Sequence, residues 1–595
     1  MQGKMSLFAA CALAALLVGM PSKALETLDF NFANTTDSAL TEALERVSSL
    51  QAAKSEGRID PADLYAAALT DYRSLTDALY ARGHYSGVIR IQIDGREAAL
   101  IPPLAPPTQI TAITVTIDPG PPFRFGQTTI APLAPNSKLP ETFAQGRPAG
   151  AGVVTEAAVA AIDGWRAKSH AKALINKEEI TANHAEHRLD VALGIDPGPA
   201  VTFGRLIISD SSSVRPSRIQ AIAGLSEDAP FDPAALAKAA DRLRRTGAFR
   251  SVALTEADTL NADNSLDIAV SVIDETPRRY GAGAELSSFE GLTLSGFWLH
   301  RNALGWADRF RIEGEIAGLG GSTSGTDYTL SALFERPAVY GPDTRFTARV
   351  DLASLDETDY SSNSFKLGFS ASKEYSDTLT AELGILYSAS HVRNVFGTTD
   401  FRLLQFPFSL VSDHRDAPLD PRNGSYINAV LTPFAGLTNT ASGARLTLDA
   451  RGYVSAGEAL TFAARGQIGA VFGPSLANTA PEFLFWSGGG GSVRGQPYQS
   501  LSVAVPGGTT GGRSFASLSL ETRTDLSPTL GLVAFADAGY ISGNTDFSNG
   551  NWHAGAGIGM RYDTPLGPLR FDLAGPISGT TGDGAQIYIG IGQAF

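Results

Sequence analysis

The segment Arg309-Phe-Arg-Ile-Glu-Gly-Glu-Ile316 has a charged side chain at every second position and an apolar residue or glycine between them. Successive side chains of a β-strand point to opposite faces, so this order predicts a strand with one charged and one apolar face. The same alternation of polar and apolar residues returns at residues 345–352, 445–451, 461–468 and 569–573. A soluble sandwich also alternates in this way, so the pattern alone leaves both a sandwich and a membrane barrel open.

The alternation continues from residue 277 to residue 595, and no segment there is suited to cover the apolar faces. In lipid every backbone polar group must be paired, so strands can cross a membrane only as a closed barrel. The charged faces must then point into the lumen. The sequence therefore predicts a transmembrane antiparallel β-barrel, which is either a membrane pore or a membrane assembly device.

The first 24 residues have the organisation of a secretory signal peptide. Lys4 is the positive start, residues 6–20 are the apolar segment, and Ser22-Lys-Ala24 is a small-x-small cleavage site. The only cysteine of the sequence, Cys11, lies in this segment, where Phe8-Ala-Ala-Cys11 also weakly matches a lipoprotein site. We expect residues 1–24 to be removed, which leaves a mature chain that disulfides cannot stabilise.

The composition narrows the class of protein further. The net charge of −14 argues against a nucleic-acid partner. No other apolar run approaches the ~20 residues that a membrane-spanning helix needs. Export, strands and the lack of such a helix together predict the outer membrane of a Gram-negative bacterium.

Three related segments precede the barrel at a constant spacing. Ile117-Asp-Pro-Gly-Pro121 returns as Ile195-Asp-Pro-Gly-Pro199, and Ile273-Asp-Glu-Thr-Pro277 is a third copy, each 78 residues after the one before. A strand precedes each copy and a helix lies further upstream, so each unit is a small α/β module. We place the three modules and the barrel at residues 25–121, 122–199, 200–276 and 277–595.

The modules differ at the turn that follows their helix. The third has the clearest helix, at residues 233–245, with Gly247 as its stop and Phe249 expected to anchor it to the sheet. The second has Ser169 and Ala171 at the equivalent positions, so we expect a degraded turn there. Exposed sheet edges in such modules suit binding of extended polypeptide by strand addition, and a rigid spacer is the alternative.

The sequence contains few motifs that are typical of enzymes or cofactor-binding sites. The sequence has no G-x-S-x-G, no H-E-x-x-H and no phosphate-binding glycine loop. His184-Ala-Glu-His187 could be a metal pair, but its polar surroundings before a strand fit a solvated loop better. The glycines at residues 488–491 give a hairpin loop its conformational freedom. We therefore expect no enzyme chemistry, metal or cofactor.

Motifs in a fixed order along most of the chain resemble one superfamily. They are Arg279-Tyr-Gly-Ala-Gly283, Leu299-His-Arg-Asn-Ala-Leu-Gly305, Asp413-His-Arg-Asp-Ala-Pro-Leu-Asp-Pro-Arg-Asn-Gly424, Phe485-Trp-Ser-Gly-Gly-Gly-Gly-Ser-Val-Arg-Gly495, Ser517-Leu-Ser-Leu-Glu-Thr-Arg523, Phe535-Ala-Asp-Ala-Gly539 and Gly555-Ala-Gly-Ile-Gly-Met-Arg-Tyr-Asp-Thr-Pro-Leu-Gly-Pro-Leu-Arg-Phe-Asp572. The chain resembles the outer-membrane assembly superfamily, which contains BamA and TamA. Its modules resemble polypeptide-transport-associated (POTRA) domains. The resemblance implies a 16-stranded barrel, with the even strand number usual for bacterial barrels. Three modules most resemble the TamA branch, since BamA-like proteins usually have five and two-partner secretion translocators two.

The resemblance also implies a latch inside the barrel. The superfamily has Val493-Arg494-Gly495 on a loop folded back into the lumen, where the arginine meets acidic wall residues at the positions of Glu521 and Asp537. Alternation independently puts Glu521 on the lumen face, because a charge facing lipid costs up to ~2–4 kcal/mol. A guanidinium can hold a carboxylate through two hydrogen bonds, which suits a latch, and an ordinary stabilising ion pair is the alternative. Gln496 stands where the superfamily usually has an aromatic residue, and Tyr498 is a candidate substitute.

The barrel closes where its first and last strands meet, at residues near 279–286 and at residues 587–595. Gly590 and Gly592 lack side chains for packing, and Gln593 is polar where the superfamily usually has a hydrophobic residue. We therefore predict a weakly paired seam, and a plain closing strand is the alternative. The seam residues that we single out are Arg279, Tyr280, Ile587, Ile589, Ile591 and Phe595.

The resemblance implies an outer-membrane insertase or assembly factor for β-rich clients such as autotransporters. The modules would receive unfolded clients and dock a TamB-like partner anchored in the inner membrane, and client strands would enter lipid through the seam. A two-partner-type secretion translocator and a passive porin-like channel are the alternatives. The repeated modules and the latch loop count against a porin.

Overall fold

The computed structural model describes residues 25–57, 60–208, 211–287, 291–321, 325–438, 440–564, 568–582, 584–591 and 593. The predicted signal peptide, residues 1–24, lies outside these ranges. By their internal contacts the described residues form two compact units. One contains the residues up to 203 with 228–234 and 261–266, and the other contains 204–227, 235–260 and the residues from 267 onward.

The first module packs three helices on a four-stranded sheet of order β1-β4-β2-β3. Its elements are β1 (Thr27–Phe32), α1 (Ser38–Val47), α2 (Ser49–Ser55), α3 (Pro61–Ala81), β2 (Val88–Ile93), β3 (Arg96–Glu97) and β4 (Ala112–Asp118). Strand β4 buries every second residue, Ile113, Val115 and Ile117, against the helices. This is the period of two that a half-buried strand requires.

The second module has one helix on a three-stranded sheet of order β5-β7-β6. Its elements are β5 (Arg124–Ala131), α4 (Ala151–Arg166), β6 (Leu174–Asn183) and β7 (Arg188–Asp196). We expected a degraded turn after this helix, and for the backbone conformation this is wrong. Ser169 has φ 69°, similar to the 83° of Gly83 and the 68° of Gly247 at the equivalent positions of the other two modules. Ala171 is buried, as Phe249 is. The turn keeps its left-handed conformation although a residue with a side chain rarely adopts it.

The third module has two helices and a sheet of order β8-β10-β9. Its elements are β8 (Thr202–Ile208), α5 (Pro216–Ala223), α6 (Pro233–Arg245), β9 (Phe249–Glu256) and β10 (Ser265–Asp274). Helix α6 has the predicted bounds. Helix α5 is not predicted from the sequence, because its eight residues give too short a periodic pattern. Among the described residues, no helix is long and apolar enough to cross a membrane.

The third module and the barrel share a hydrophobic core within the second unit. The buried side chains of α5, α6 and β9 pack with Ala307 and Ala338, which lie in turns between barrel strands. Arg242 donates two hydrogen bonds of 2.7 Å to the carboxylate of Asp343 in the second of these turns. Arg242 thereby holds the pKa of Asp343 below its usual range. The core of this module is therefore complete only with the barrel turns in place.

Replacing Phe249 with alanine should destabilise the third module by ~3–5 kcal/mol, the usual cost of truncating a buried phenylalanine. Its side chain is 6% exposed and belongs to the shared core. We expect faster proteolysis of the third module in the full chain, while the barrel keeps its heat-resistant mobility on gels. Phe396, which is 39% exposed, provides a matched phenylalanine-to-alanine control. Equal proteolysis rates of the two variants would exclude a core role for Phe249.

The barrel is a closed antiparallel sheet of seventeen strand segments among the described residues. The strands of this part of the chain are β11 (Arg278–Ser287), β12 (Gly291–Arg301), β13 (Arg309–Leu319), β14 (Asp327–Pro337), β15 (Thr344–Asp356), β16 (Tyr360–Ser376), β17 (Leu379–Asn394), β18 (Gly397–Gln405), β19 (Phe408–Asp413), β20 (Gly424–Gly436), β21 (Gly443–Ala456), β22 (Leu460–Phe472), the loop ribbon β23 (Val503–Val505) and β24 (Gly508–Thr510), β25 (Ser514–Ser527), β26 (Leu530–Ser542), β27 (Asn551–Tyr562), β28 (Leu569–Ser578) and β29 (Gln586–Ile591). Segments β18 and β19 each pair with both β17 and β20, so they are two halves of one strand, interrupted at Pro407. Proline cannot donate to the ladder, which explains the break.

The predicted fold class, three α/β modules followed by a transmembrane antiparallel barrel, is confirmed. The described segments give sixteen strand positions around the barrel. Ile312, Ile316 and Leu352 are exposed on the outer face, as lipid contact requires. On the opposite face Arg311 pairs with Glu313 at 3.0 Å. The alternation that predicts the barrel thus separates apolar from charged side chains around its wall.

Candidate functional site

The loop between β22 and β25 packs inside the barrel. Phe483 stacks on Phe434 of the wall, and Phe485 stacks on Phe515, with ring centroids 4.8 and 5.8 Å apart. These rings and Leu501 form a buried cluster with wall residues. The backbone of Phe485 also pairs with Gly512. The loop is therefore held at its base by apolar contacts before its tip reaches the wall.

Arg494, near the loop tip, binds the wall acids through its whole guanidinium group. Its Nε and Nη2 donate to the two carboxylate oxygens of Asp537 at 2.7 and 3.0 Å, and its backbone N–H donates to the same carboxylate at 3.1 Å. Its Nη1 donates to Glu521 at 2.7 Å. The guanidinium carbon lies 3.6 Å from the centre of the Phe535 ring. The side chains of Arg494, Glu521 and Asp537 are exposed by 3% or less, so their ion pairs replace contacts with water almost completely.

A third acid, Asp572 of β28, completes the site and is not among the residues predicted from the sequence. It accepts from Arg494 Nη1 at 3.5 Å and from Arg561 Nη1 at 2.5 Å. Glu521 likewise has a second partner, because Arg523 lies 2.8 Å from it. Among the described residues Asp537 has Arg494 as its only cationic partner. We call Arg494, Glu521, Asp537 and Asp572 the lumen latch.

The residues beside Arg494 fix the loop tip. Val493 is fully buried. A side chain on Gly495, at φ 87°, would meet the backbone of Gly575 at 2.5 Å. Gln496 is fully buried and donates to the carbonyls of Ala554 and Ser578 at 2.7 and 3.1 Å. Tyr498 does not take the place of the aromatic residue that is usual at this position, because its hydroxyl bonds to Glu357 at 3.4 Å. Hydrogen bonds therefore hold the tip where we expected an aromatic contact.

A second, uncharged chain of contacts also joins the loop to the wall. His553 of β27 lies 2.8 Å from the Ser487 hydroxyl through Nε2 and 2.8 Å from the Thr581 hydroxyl through Nδ1. Thr581 donates to Gln496 at 2.9 Å. Both Ser487 and His553 are buried, so this serine and histidine connect the loop to the wall. No sequence motif indicates these contacts, because the four residues come from three separate segments: the loop, β27 and the turn after β28.

The seam between β11 and β29 is weakly paired in the described residues. Only Leu286 with Ile589 and Ser287 with Tyr588 are partners across it. By contrast, β29 pairs with β28 from Gln586 to Ile591. Arg279 and Tyr280 lie on the part of β11 that has no described partner at the seam.

The closing strand of the barrel is only partly described. Strand β29 runs from Gln586 to Ile591, and the rest of the predicted closing strand, up to Phe595, lies outside the described residues apart from Gln593. Ile587 and Ile589 are 39% and 47% exposed on the lipid face. The partner of Ile589 is Leu286, a register that alternation alone cannot fix.

A barrel with a latched loop and N-terminal modules defines a class of outer-membrane protein, and comparison with known proteins agrees. Residues 302–595 match the Omp85 superfamily domain. The chain is 24% identical over 435 residues to the outer membrane protein assembly factor BamA of Nitratidesulfovibrio vulgaris. This alignment covers 69% of the chain and 53% of the relative, so the chain spans about half the length of that relative.

Two solved structures have a similar fold. BamA from Haemophilus ducreyi lacking POTRA domains 1–3 gives a TM-score of 0.62 at 16% identity, covering 79% of this chain and all of the other. CdiB from Acinetobacter baumannii gives 0.50 at 10% identity, covering 79% and 90%. Residues 302–595 therefore form a domain of the Omp85 outer-membrane assembly superfamily. The barrel belongs in the outer membrane and the modules are periplasmic.

Proposed function

We propose that this protein inserts β-rich polypeptides into the outer membrane through its seam. The observation that supports this most is the seam itself: residues 278–285 of β11 pair with β12 but have no described partner across the seam. An exposed strand edge is a template for an incoming strand. Because open edges in lipid leave unsatisfied backbone groups, a barrel that kept this edge for no purpose would be unstable.

The periplasmic modules can bind the client through the edges of their sheets. Each sheet has two edge strands, for example β6, most of whose side chains are exposed. Strand addition at such edges binds extended chains through the backbone and needs little sequence specificity. We assign autotransporter-like clients and a TamB-like partner on the resemblance to the TamA branch. Insertion needs no covalent chemistry, since backbone pairing and apolar burial of the client supply the free energy.

The two alternatives differ in where polypeptide would pass. A secretion translocator would pass it through the lumen, which here contains the latched loop and its buried aromatic cluster. A passive channel would need an open lumen and a permanently paired seam. Neither alternative uses the part of β11 for which no partner across the seam is described, and this favours insertion.

A photo-crosslinking amino acid at Ala284 should capture nascent clients in cells if β11 templates their strands. Ala284 lies on the part of β11 for which no partner across the seam is described, and its side chain is exposed. Ala348 is the matched control, because its strand β15 is paired on both sides. We expect client adducts at Ala284 and none at Ala348. Adducts at the lumenal Ser331 in place of Ala284 would favour translocation, and no adducts at any of these positions would favour a passive channel.

A further inference from the structure

We propose that the outer face of β15–β18 binds a phosphorylated glycolipid of the outer leaflet. Polar and charged side chains cover one end of these four strands on the face that contacts lipid. We call them the outer patch, and its members are Ser354, Asp356, Ser361, Asn363, His391, Arg393, Thr398, Asp400 and Arg402. Insertion through the seam does not require such a site, so the proposal is separate from the proposed function.

Alternation and register put the outer patch on the lipid-facing side of the wall. Leu352 of β15 is 47% exposed there, and it is the partner of Phe365, which is the partner of Ala389. Ala389 is in turn the partner of Arg402. Successive side chains of a strand point to opposite faces, and the residues between those of the patch are buried on the inner side: Ser362, Ser390, Val392 and Phe401.

The outer face changes from apolar to polar within one step along each strand. On β15 the change falls between Leu352 and Ser354, and on β16 it falls between Phe365 and Asn363. A charged side chain is costly near the middle of the bilayer and costs little at its surface, so this step marks the level of the lipid headgroups. Strand β11 starts at the periplasmic side. In the antiparallel order the patch therefore lies at the outer ends of β15–β18, in the outer leaflet.

The neighbouring strands have no such change. On β14 the outward residues near the outer end are Tyr328 and Leu330, which are 53% and 49% exposed. On β20 they are Leu431, Pro433 and Ala435. The outer patch is therefore a local feature of four strands and not a ring of polar residues around the barrel.

Two arginines of the outer patch have guanidinium groups that can bind a ligand. Among the described residues, neither Arg393 nor Arg402 forms a side-chain hydrogen bond or ion pair, and both side chains are exposed. The lumen face differs, because Arg349, for example, donates to Asp351 at 2.8 Å. A guanidinium group binds a phosphate through two parallel hydrogen bonds. Unpaired arginines at the level of the headgroups therefore fit lipid phosphates.

The spacing of the two arginines fits a headgroup with two phosphates. Thr398 is the partner of Arg393, and it lies four residues before Arg402 on β18. At the rise of an extended strand, the arginines are about 13 Å apart along the strand direction. Phosphates at the two ends of a disaccharide can both be reached by arginine side chains at this spacing.

The groups between the arginines fit sugar hydroxyls. His391 Nδ1 lies 2.7 Å from Asp400 Oδ1, and these side chains are 60% and 70% exposed. Asn363 is the partner of His391 on the other side. Imidazole, carboxylate and amide groups together donate and accept hydrogen bonds, as hydroxyls require. Because Asp356 and Asp400 balance the charge of the two arginines, the patch favours a headgroup that combines phosphate with hydroxyls over a bare anion.

The test measures binding of bis-phosphorylated lipid A to the purified full-length protein in detergent by native mass spectrometry. Combining Arg393→Gln with Arg402→Gln should weaken binding about tenfold, since charge-assisted hydrogen bonds to phosphate are lost. Lipid A without its phosphates should bind the unmodified protein as weakly as intact lipid A binds this variant. Millimolar inorganic phosphate should not displace lipid A, and phosphatidylglycerol should bind less tightly. Heat-resistant mobility on gels verifies that the variant is folded.

Lys373→Gln is the matched control, because Lys373 is exposed on the same outer face at the periplasmic end of β16, 5.0 Å from the Tyr375 ring. It should leave the affinity for lipid A unchanged. Unchanged binding by the double variant, or an equal loss in Lys373→Gln, would overturn the site. Displacement by inorganic phosphate, or equal affinity for phosphatidylglycerol, would overturn the assignment to a glycolipid. None of these measurements depends on client assembly, so the site and the proposed function can fail separately.

Discussion

Replacing Arg494 with alanine should lower the free energy of unfolding of the barrel by ~3–5 kcal/mol, the range for breaking a buried ion pair by removing one partner. Asp537 would be left buried without a cationic partner, because Arg494 is its only one among the described residues. Glu521 keeps Arg523, and Asp572 keeps Arg561. We expect the folded form to lose its mobility on gels at a lower temperature and at lower urea concentration. Client assembly should fall as well.

Two further variants separate the latch from ordinary lumenal charge. Arg465 pairs with Asp449 at 2.7 Å, but it is 16% exposed against 3% for Arg494, and Asp449 keeps Arg451, so Arg465→Ala should cost less than Arg494→Ala. Combining Arg494→Met with Asp537→Leu removes both partners and should recover part of the stability. Equal losses for Arg494→Ala and Arg465→Ala would mean that burial of the latch contributes nothing.

The lumen face of the latch could be predicted because a strand has a period of two and lipid penalises charge. These two facts suffice to orient Glu521 inward. Asp572 follows the same rule in Leu569-Arg-Phe-Asp572, so alternation contains the signal for the third acid. Alternation does not predict which acidic residues contact the same arginine. Arg494 and Asp572 lie 78 residues apart, and their contact depends on how the loop enters the barrel.

The parts that could not be predicted depend on departures from regular structure. Gln593 lies 32 residues from Arg561 and 173 from Asp420, and no periodic pattern in the sequence indicates that its side chain bonds to both. Ser169 keeps a turn that the sequence favours only with glycine, since the surrounding module fixes its backbone. Gln496 replaces an aromatic contact by hydrogen bonds to carbonyls whose positions no local pattern reveals.

Locking the seam should abolish client assembly, and this is the largest functional effect that we expect. Leu286 and Ile589 are direct partners across the seam, so cysteines at these positions lie within reach of a disulfide. The lock joins the edges that an insertase must part, whereas a porin needs them permanently paired. Folding and membrane residence should be unchanged, because the barrel ladder stays intact.

The matched control is a disulfide between Ile558 and Leu573, which are also lipid-facing partners but lie between β27 and β28, where pairing is continuous. This second lock should leave client assembly at the level of the unmodified protein. Reduction of the seam disulfide should restore assembly, which separates the lock from an effect of the substitutions. Both disulfides stiffen the barrel, but only the one between residues 286 and 589 joins the first strand to the last. Loss of client assembly with that disulfide alone would therefore assign the effect to the seam. Full client assembly with the seam disulfide demonstrably formed would exclude lateral insertion and favour passage of polypeptide through the lumen.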